Sequence, residues 1–227
     1  YDDLLAGPQS EAVYIATPHP FHAELVIRAL RAGKHVVVEK PAGLIPGEVV
    51  VMTDVAKETG RFFMEGFMYR CHPQIERLVE LIGSGEIGKV QHIEASFGFA
   101  SNYNPDSRLD NPALAGGAIL DVGVYPVSLA RLVAGAAQGL PFAEPLEIQG
   151  IGSLGPLGVD ETAYAILKFD QDITASCATS IRRAMDNSAT VIGSKGRIHL
   201  PNPWIPGRDA GPSDAVIEIE VAGEKRA

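Results

Sequence analysis

Cysteine is almost absent from these 227 residues: Cys71 and Cys177 stand alone, with no CxxC spacing. That excludes a disulfide scaffold and a zinc ribbon, and it suits a reducing cytoplasm, the compartment expected for the chain. Basic charge is scarce as well. Lys and Arg number 19 against 28 Asp and Glu, a formal net charge of -9, and no basic run or basic–aromatic interleaving occurs. Nucleic acid and anionic membrane surfaces are therefore not expected partners. No signal peptide opens the chain, and no apolar run approaches the ~20 residues of a membrane span. A Gly-rich dinucleotide fingerprint, GxGxxG, is missing too. Gly152-Ser153-Leu154-Gly155 comes nearest, but its spacing is wrong and Pro156 follows it.

What is present is an ordinary globular composition, 46% hydrophobic and 21% charged, with enough chain to bury a real core. The first third alternates strand and helix. Val13-Tyr14-Ile15-Ala16 and the β-branched run Val36-Val37-Val38 predict strands, and Phe62-Phe63-Met64 a third. Between them, the rows Phe21, Leu25, Ala29 and His22, Val26, Leu30 predict one helix, and residues 47–59 a second. This βαβαβ rhythm argues for a parallel sheet with crossover helices. Pro73 opens another helix, on which Ile75, Leu78, Val79 and Ile82 share a face. From there the period changes to two. Strands are expected near 93–99, 163–169, 173–178, 190–193, 197–200 and 216–221, and a Pro/Gly-rich loop over 201–214. The fold class is thus α/β followed by α+β: a partial Rossmann-type sheet over residues 1–70, then an open, mostly antiparallel sheet over 71–227. The opening Tyr1–Leu5 reads as a helix end, so earlier strands are expected to precede it.

Three clusters carry chemical potential. Thr17, Pro18, His19 and His22 follow the first strand, at the C-terminal edge where open α/β sheets bind ligands; the same residues also suit a plain helix start. Glu39-Lys40-Pro41 ends the second strand, pointing into the same crevice or forming a solvated pair before a turn. A cis bond before Pro41 is compatible with such a turn. The third is Gly116-Gly117-Ala118-Ile119-Leu120-Asp121-Val122-Gly123-Val124-Tyr125. If helical, it places Asp121 and Tyr125 on one face, with glycines that let the backbone approach a ligand, or it is a buried pair satisfying itself. Pro126 disfavours helical geometry just before it, so either the helix kinks there or its regular part begins later.

At this point the chain resembles the glucose-fructose oxidoreductase / inositol dehydrogenase / MocA-like oxidoreductases. The resemblance runs over nearly the whole length. It rests on ATPHPFHAE (16–24), AGKHVVVEKP (32–41), YRCHP (69–73), GGAILDVGVY (116–125) and GSKGRIHLPNPW (193–204). Many members have His where Tyr125 stands; the Tyr form, with GVDET (158–162), is similar to the branch near dihydrodiol and sugar dehydrogenases.

The resemblance implies an NAD(P)-dependent oxidoreductase that moves a hydride between nicotinamide, of NAD or NADP, and a sugar, polyol or diol. Tyr125 then matches the general acid/base, Lys40 the cation beside it, and Asp121 the group orienting Lys40 or the substrate. Thr17, Pro18, His19, Glu39 and Pro41 would line the nicotinamide side; Arg70 would contact cofactor or substrate. His22 is assigned either to that lining or to the helix as a structural residue. It also implies a homodimer or homotetramer through the second domain. Members begin with a strand, a Gly-rich turn and a helix that grip the cofactor diphosphate and end with a further strand and helix. Neither set is found here, so the chain by itself is expected to be inactive. The alternatives are a non-catalytic oligomerising fragment, or an NAD-dependent glycosidase, against which the Tyr form argues.

Overall fold

The chain folds in a computed structural model that describes residues 1–7, 9–206 and 215–227. A short helix α1 (Asp2–Ala6) precedes β1 (Ala12–Ile15). Helix α2 (His22–Arg31) buries the expected face, Leu25, Val26, Ala29 and Leu30, and ends at Gly33, whose φ of 78° only glycine adopts easily. Strand β2 (His35–Glu39), helix α3 (Pro46–Thr59) and strand β3 (Phe63–Gly66) follow. The three strands pair in parallel in the order β1-β2-β3. Their core is Ile15, Val36 and Val38 against Leu30, Met52 and Val55.

Helix α4 (Pro73–Gly83) has Pro73 at its first position, and the His72 ring accepts the Gln74 N–H at 3.1 Å. Strand β4 (Val90–Gly98) and helix α5 (Val124–Ala137) come next. They are followed by β5 (Glu147–Leu154), β6 (Asp160–Lys168), β7 (Thr174–Ser180), β8 (Ala189–Gly193), β9 (Gly196–Leu200), β10 (Glu218–Val221) and β11 (Glu224–Arg226). These form an eight-stranded sheet ordered β11-β10-β9-β8-β4-β7-β6-β5, in which only β4 and β7 run parallel. Helices α4 and α5 cover one face, around Leu78, Ile93, Leu129, Val133, Phe169 and Trp204. Of the expected loop over 201–214, residues 207–214 lie outside the described residues.

Two differences from the sequence expectation have physical causes. Strand β5 was not anticipated. It is an edge strand, exposed at every position and carrying Gly150 and Gly152, so it shows no apolar alternation. Within Pro112–Ala137 an 18-residue window has a mean hydropathy of 1.5, apolar enough by composition alone to cross a membrane. Burial explains that composition: Leu129, Ala130, Val133 and Ala134 are core residues.

Candidate active site

The site begins at the C-terminal ends of β1 and β2. After β1 the chain makes a 3-10 turn, His19–Phe21, before α2. After β2, Lys40 is joined to Pro41 by a cis peptide. His22 ties the two ends together: its ring is fully buried, with Nδ1 2.8 Å from the Pro41 carbonyl and Nε2 2.8 Å from the Thr17 carbonyl. Both ring nitrogens thus face main-chain carbonyls, to one of which a neutral ring donates. Thr17 Oγ1 is buried with no partner among the described residues. Glu39 accepts the Tyr14 hydroxyl. Glu65 of β3 accepts the Ala42 N–H at 2.7 Å and so braces the turn after Pro41 from the other side; burial raises its pKa.

The second sheet brings its own half. Five residues, Ile119–Gly123, wind as a π turn, and regular α-helix starts only at Val124. The regular part therefore begins late, two residues before Pro126, and the wider π turn precedes it without a break. Such π turns recur at functional sites. Lys40 Nζ donates to the Asp121 carbonyl and lies 3.2 Å from Asp121 Oδ1, with side chains only 13% and 5% exposed. Arg108 Nη1 donates to the same oxygen at 2.8 Å. Burial alone would raise the Asp121 pKa. The Lys40 and Arg108 charges and their hydrogen bonds outweigh it and hold the carboxyl below its ordinary value. Lys40 Nζ is also 5.5 Å from the Tyr125 ring centroid, within cation–π reach. Tyr125 is buried among Phe67, Tyr69, Phe97 and Trp204, and its hydroxyl donates to Met68 Sδ at 3.1 Å.

His19 joins the two halves. Its Nδ1 is 3.2 Å from the Ala115 carbonyl. Burial, aided by the Lys40 charge, lowers its pKa against the opposing Ala115 bond. A neutral ring donating through Nδ1 leaves Nε2 as an acceptor.

Thr17, His19, Glu39, Lys40, Pro41, Asp121 and Tyr125 are thus brought to one region. Arg70 is placed elsewhere: its guanidinium stacks 4.6 Å from the Phe142 ring centroid, on the segment after α5. The glycines of the third cluster also differ from expectation. A Cβ at Gly116 would strike the Leu109 carbonyl and one at Gly117 the Asp160 carboxylate, so both serve packing. Sequence reasoning missed Arg108, Met68 and Glu65. Glu65 left a signal, a carboxylate at the end of an apolar strand; Arg108 lies in an aperiodic loop and left none.

A parallel sheet whose strand ends present a lysine to an acidic turn of a second, mixed sheet defines a two-part α/β enzyme architecture. Residues 1–67 match the oxidoreductase family with an NAD-binding Rossmann fold, and residues 75–199 match the GFO/IDH/MocA C-terminal domain. The chain belongs to the GFO/IDH/MocA family of oxidoreductases. It is 35% identical over 226 residues to mouse trans-1,2-dihydrobenzene-1,2-diol dehydrogenase, covering 100% of this chain and 62% of that protein. It is 37% identical over 210 residues to an uncharacterized oxidoreductase of Rhizobium meliloti, covering 92% and 60%. Among solved structures it resembles a 3-ketoreductase from Actinomadura kijaniata in complex with NADP and TDP-benzene, with a TM-score of 0.82, 30% identity, and 100% and 66% of the two chains covered. An aldose-aldose oxidoreductase from Caulobacter crescentus gives 0.83, 26%, and 99% and 64%. The chain spans about 60% of the length of the curated relatives it matches.

Proposed function

We propose that this chain carries the catalytic centre of an NAD(P)-dependent dehydrogenase acting on a C–OH or C=O group of a sugar, polyol or diol. The observation that supports this most is the convergence of Lys40, Asp121 and Tyr125 from two different sheets. The substrate class follows the activities of the similar proteins, a trans-1,2-dihydrobenzene-1,2-diol dehydrogenase, a 3-ketoreductase and an aldose-aldose oxidoreductase.

The residues present fit the nicotinamide end of the cofactor. Thr17 presents a buried hydroxyl that lacks a partner among the described residues, His19 an acceptor nitrogen, and both stand at a strand end. Thr17, Pro18, His19, Glu39 and Pro41 would hold that end. When bound, the nicotinamide accepts or supplies the hydride. The side chains handle the proton. Tyr125 takes it from, or returns it to, the substrate oxygen as general acid/base. Lys40 stabilises negative charge at that oxygen and at the tyrosine, and Asp121, kept ionised by Lys40 and Arg108, fixes the ammonium in place. Lys40→Met and Tyr125→Phe in the full gene product test these roles; near-native turnover in both would refute them.

The free face of the second sheet supports self-association. Ile151, Tyr164 and Ile166 share it, at 76%, 43% and 51% exposure. A second copy of the chain is the proposed occupant.

A further inference from the structure

The sequence Gly158–Thr162 stands outside the mechanism above, yet its Asp160 reaches the site from 39 positions beyond Asp121 (160 minus 121). Asp160 opens β6. Its Oδ2 accepts the Ile119 N–H at 2.7 Å, and the Ala118 N–H lies near enough to lower the pKa of the same carboxyl. These are the first-turn donors of the helical segment, which lack intrahelical partners. The local sequence, Gly116-Gly117-Ala118, has no side chain able to cap them, and none does. The preceding Gly117 holds a φ of 124°, and any Cβ there would collide with Asp160 Oδ1. A glycine and a carboxylate from different parts of the chain are therefore fitted to one another at the point where the π turn begins.

We propose that Asp160 is a positioning residue: by capping the segment from β6 it fixes the π turn that presents Asp121 to Lys40. The idea rests on the dehydrogenase reading for its meaning but not for its test. The turn has few other anchors at its start. Thr179 Oγ1 donates to the Ala118 carbonyl at 3.3 Å, and Gly123 packs on the Thr179 side chain. Removing the cap frees the Ile119 donor at the head of the turn, and Asp121 lies two residues beyond Ile119. Burial raises the Asp160 pKa against those donors, in keeping with a carboxylate that faces main chain and not solvent.

The test is the reactivity of Lys40 in the chain as it stands. Trace acetylation with acetic anhydride, read by mass spectrometry, compares Lys40 with Lys57, whose side chain is 73% exposed. In the wild type Lys40 reacts more slowly, being buried and paired. Asp160→Ala and Gly117→Ala each speed Lys40 relative to Lys57 by about tenfold, the equilibrium equivalent of one hydrogen bond. Asp160→Asn keeps one acceptor and speeds it by about threefold; it decides the matter if the harsher variants do not fold. A general loosening would also speed Lys34, which is buried at 7% exposure with its ammonium on main-chain carbonyls, so the proposal requires the Lys34 to Lys57 ratio to stay unchanged. An unchanged Lys40 to Lys57 ratio in folded Asp160→Asn, and in whichever harsher variant folds, overturns the proposal and leaves the dehydrogenase reading intact. Loss of that reading, through active Lys40→Met and Tyr125→Phe variants, would leave the labelling result standing.

Discussion

Lys40 and Asp121 are 81 residues apart in sequence and 3.2 Å apart in space, and the same ammonium also reaches the Asp121 carbonyl. The lysine ends a strand of the parallel sheet, and the aspartate sits in a π turn on the mixed sheet. The pair therefore joins the parallel-sheet domain to the helical segment that carries Tyr125. It makes Lys40 a fixed charge beside the tyrosine ring instead of a solvated one.

Acid should reveal this pair. The Asp121 pKa is depressed below its ordinary 3.8. Its stabilising contribution is fully present above that value and is lost as pH falls through the lower, folded-state value. Wild-type melting temperature should fall more steeply on the acid limb, below about pH 4, than that of Asp121→Asn. Parallel acid limbs in thermal scans would show that the ion pair contributes nothing.

The two thiols should differ in reactivity. Cys71 is exposed, whereas burial pushes Cys177 up to about 12. Thiolate is the reactive form. Iodoacetamide at mildly alkaline pH should alkylate Cys71 and spare Cys177 until the protein is unfolded. Equal labelling in the native state would mean that solvent reaches Cys177 on β7.

A charge on the free sheet face should separate copies of the chain. Ile166→Asp places a carboxylate opposite Ser176 on the face shared with Tyr164, where burial against a partner would desolvate it. Light scattering should report a dimer or larger for the wild type and a smaller species for the variant. A monomeric wild type at micromolar concentration would remove the self-association proposal.

The 227-residue chain by itself should bind NAD and NADP weakly. Diphosphate affinity in this kind of fold comes from backbone N–H groups at a Gly-rich turn before a helix, and the sequence contains no such turn. Contacts at the nicotinamide end must still offset the entropy of association. Calorimetric titration reads this directly, and low-micromolar dissociation for either cofactor would contradict it.

Most of the fold was legible because burial imposed periods on the sequence. Leu25, Val26, Ala29 and Leu30 marked α2, and Val36 to Val38 marked a strand covered on both faces. The edge strand β5 was not legible, since nothing buries it. Within the site, Lys40, Asp121 and Tyr125 stood in recognisable motifs. His22 was ambiguous because a histidine at a helix start serves a ligand or the main chain equally well; its ring lies 2.8 Å from two main-chain carbonyls. Arg70 rested on the resemblance alone, and its side chain lies on the Phe142 ring. Arg108 and Asp160 act across long sequence separations, through contacts that no local pattern encodes.

The central claim is that Tyr125 moves the substrate proton and that Lys40 stabilises the charge left behind. Lys40→Met leaves Asp121 paired with Arg108, so the fold should survive the loss. Tyr125→Phe keeps the ring packing and removes only the hydroxyl. The most direct measurement is steady-state turnover of these two variants in the full gene product, with cofactor affinity measured alongside. Each should lose turnover by roughly 10²–10⁴-fold, the range for a general acid/base, with a much smaller change in cofactor binding. Turnover within a few-fold of wild type in both variants would contradict the account.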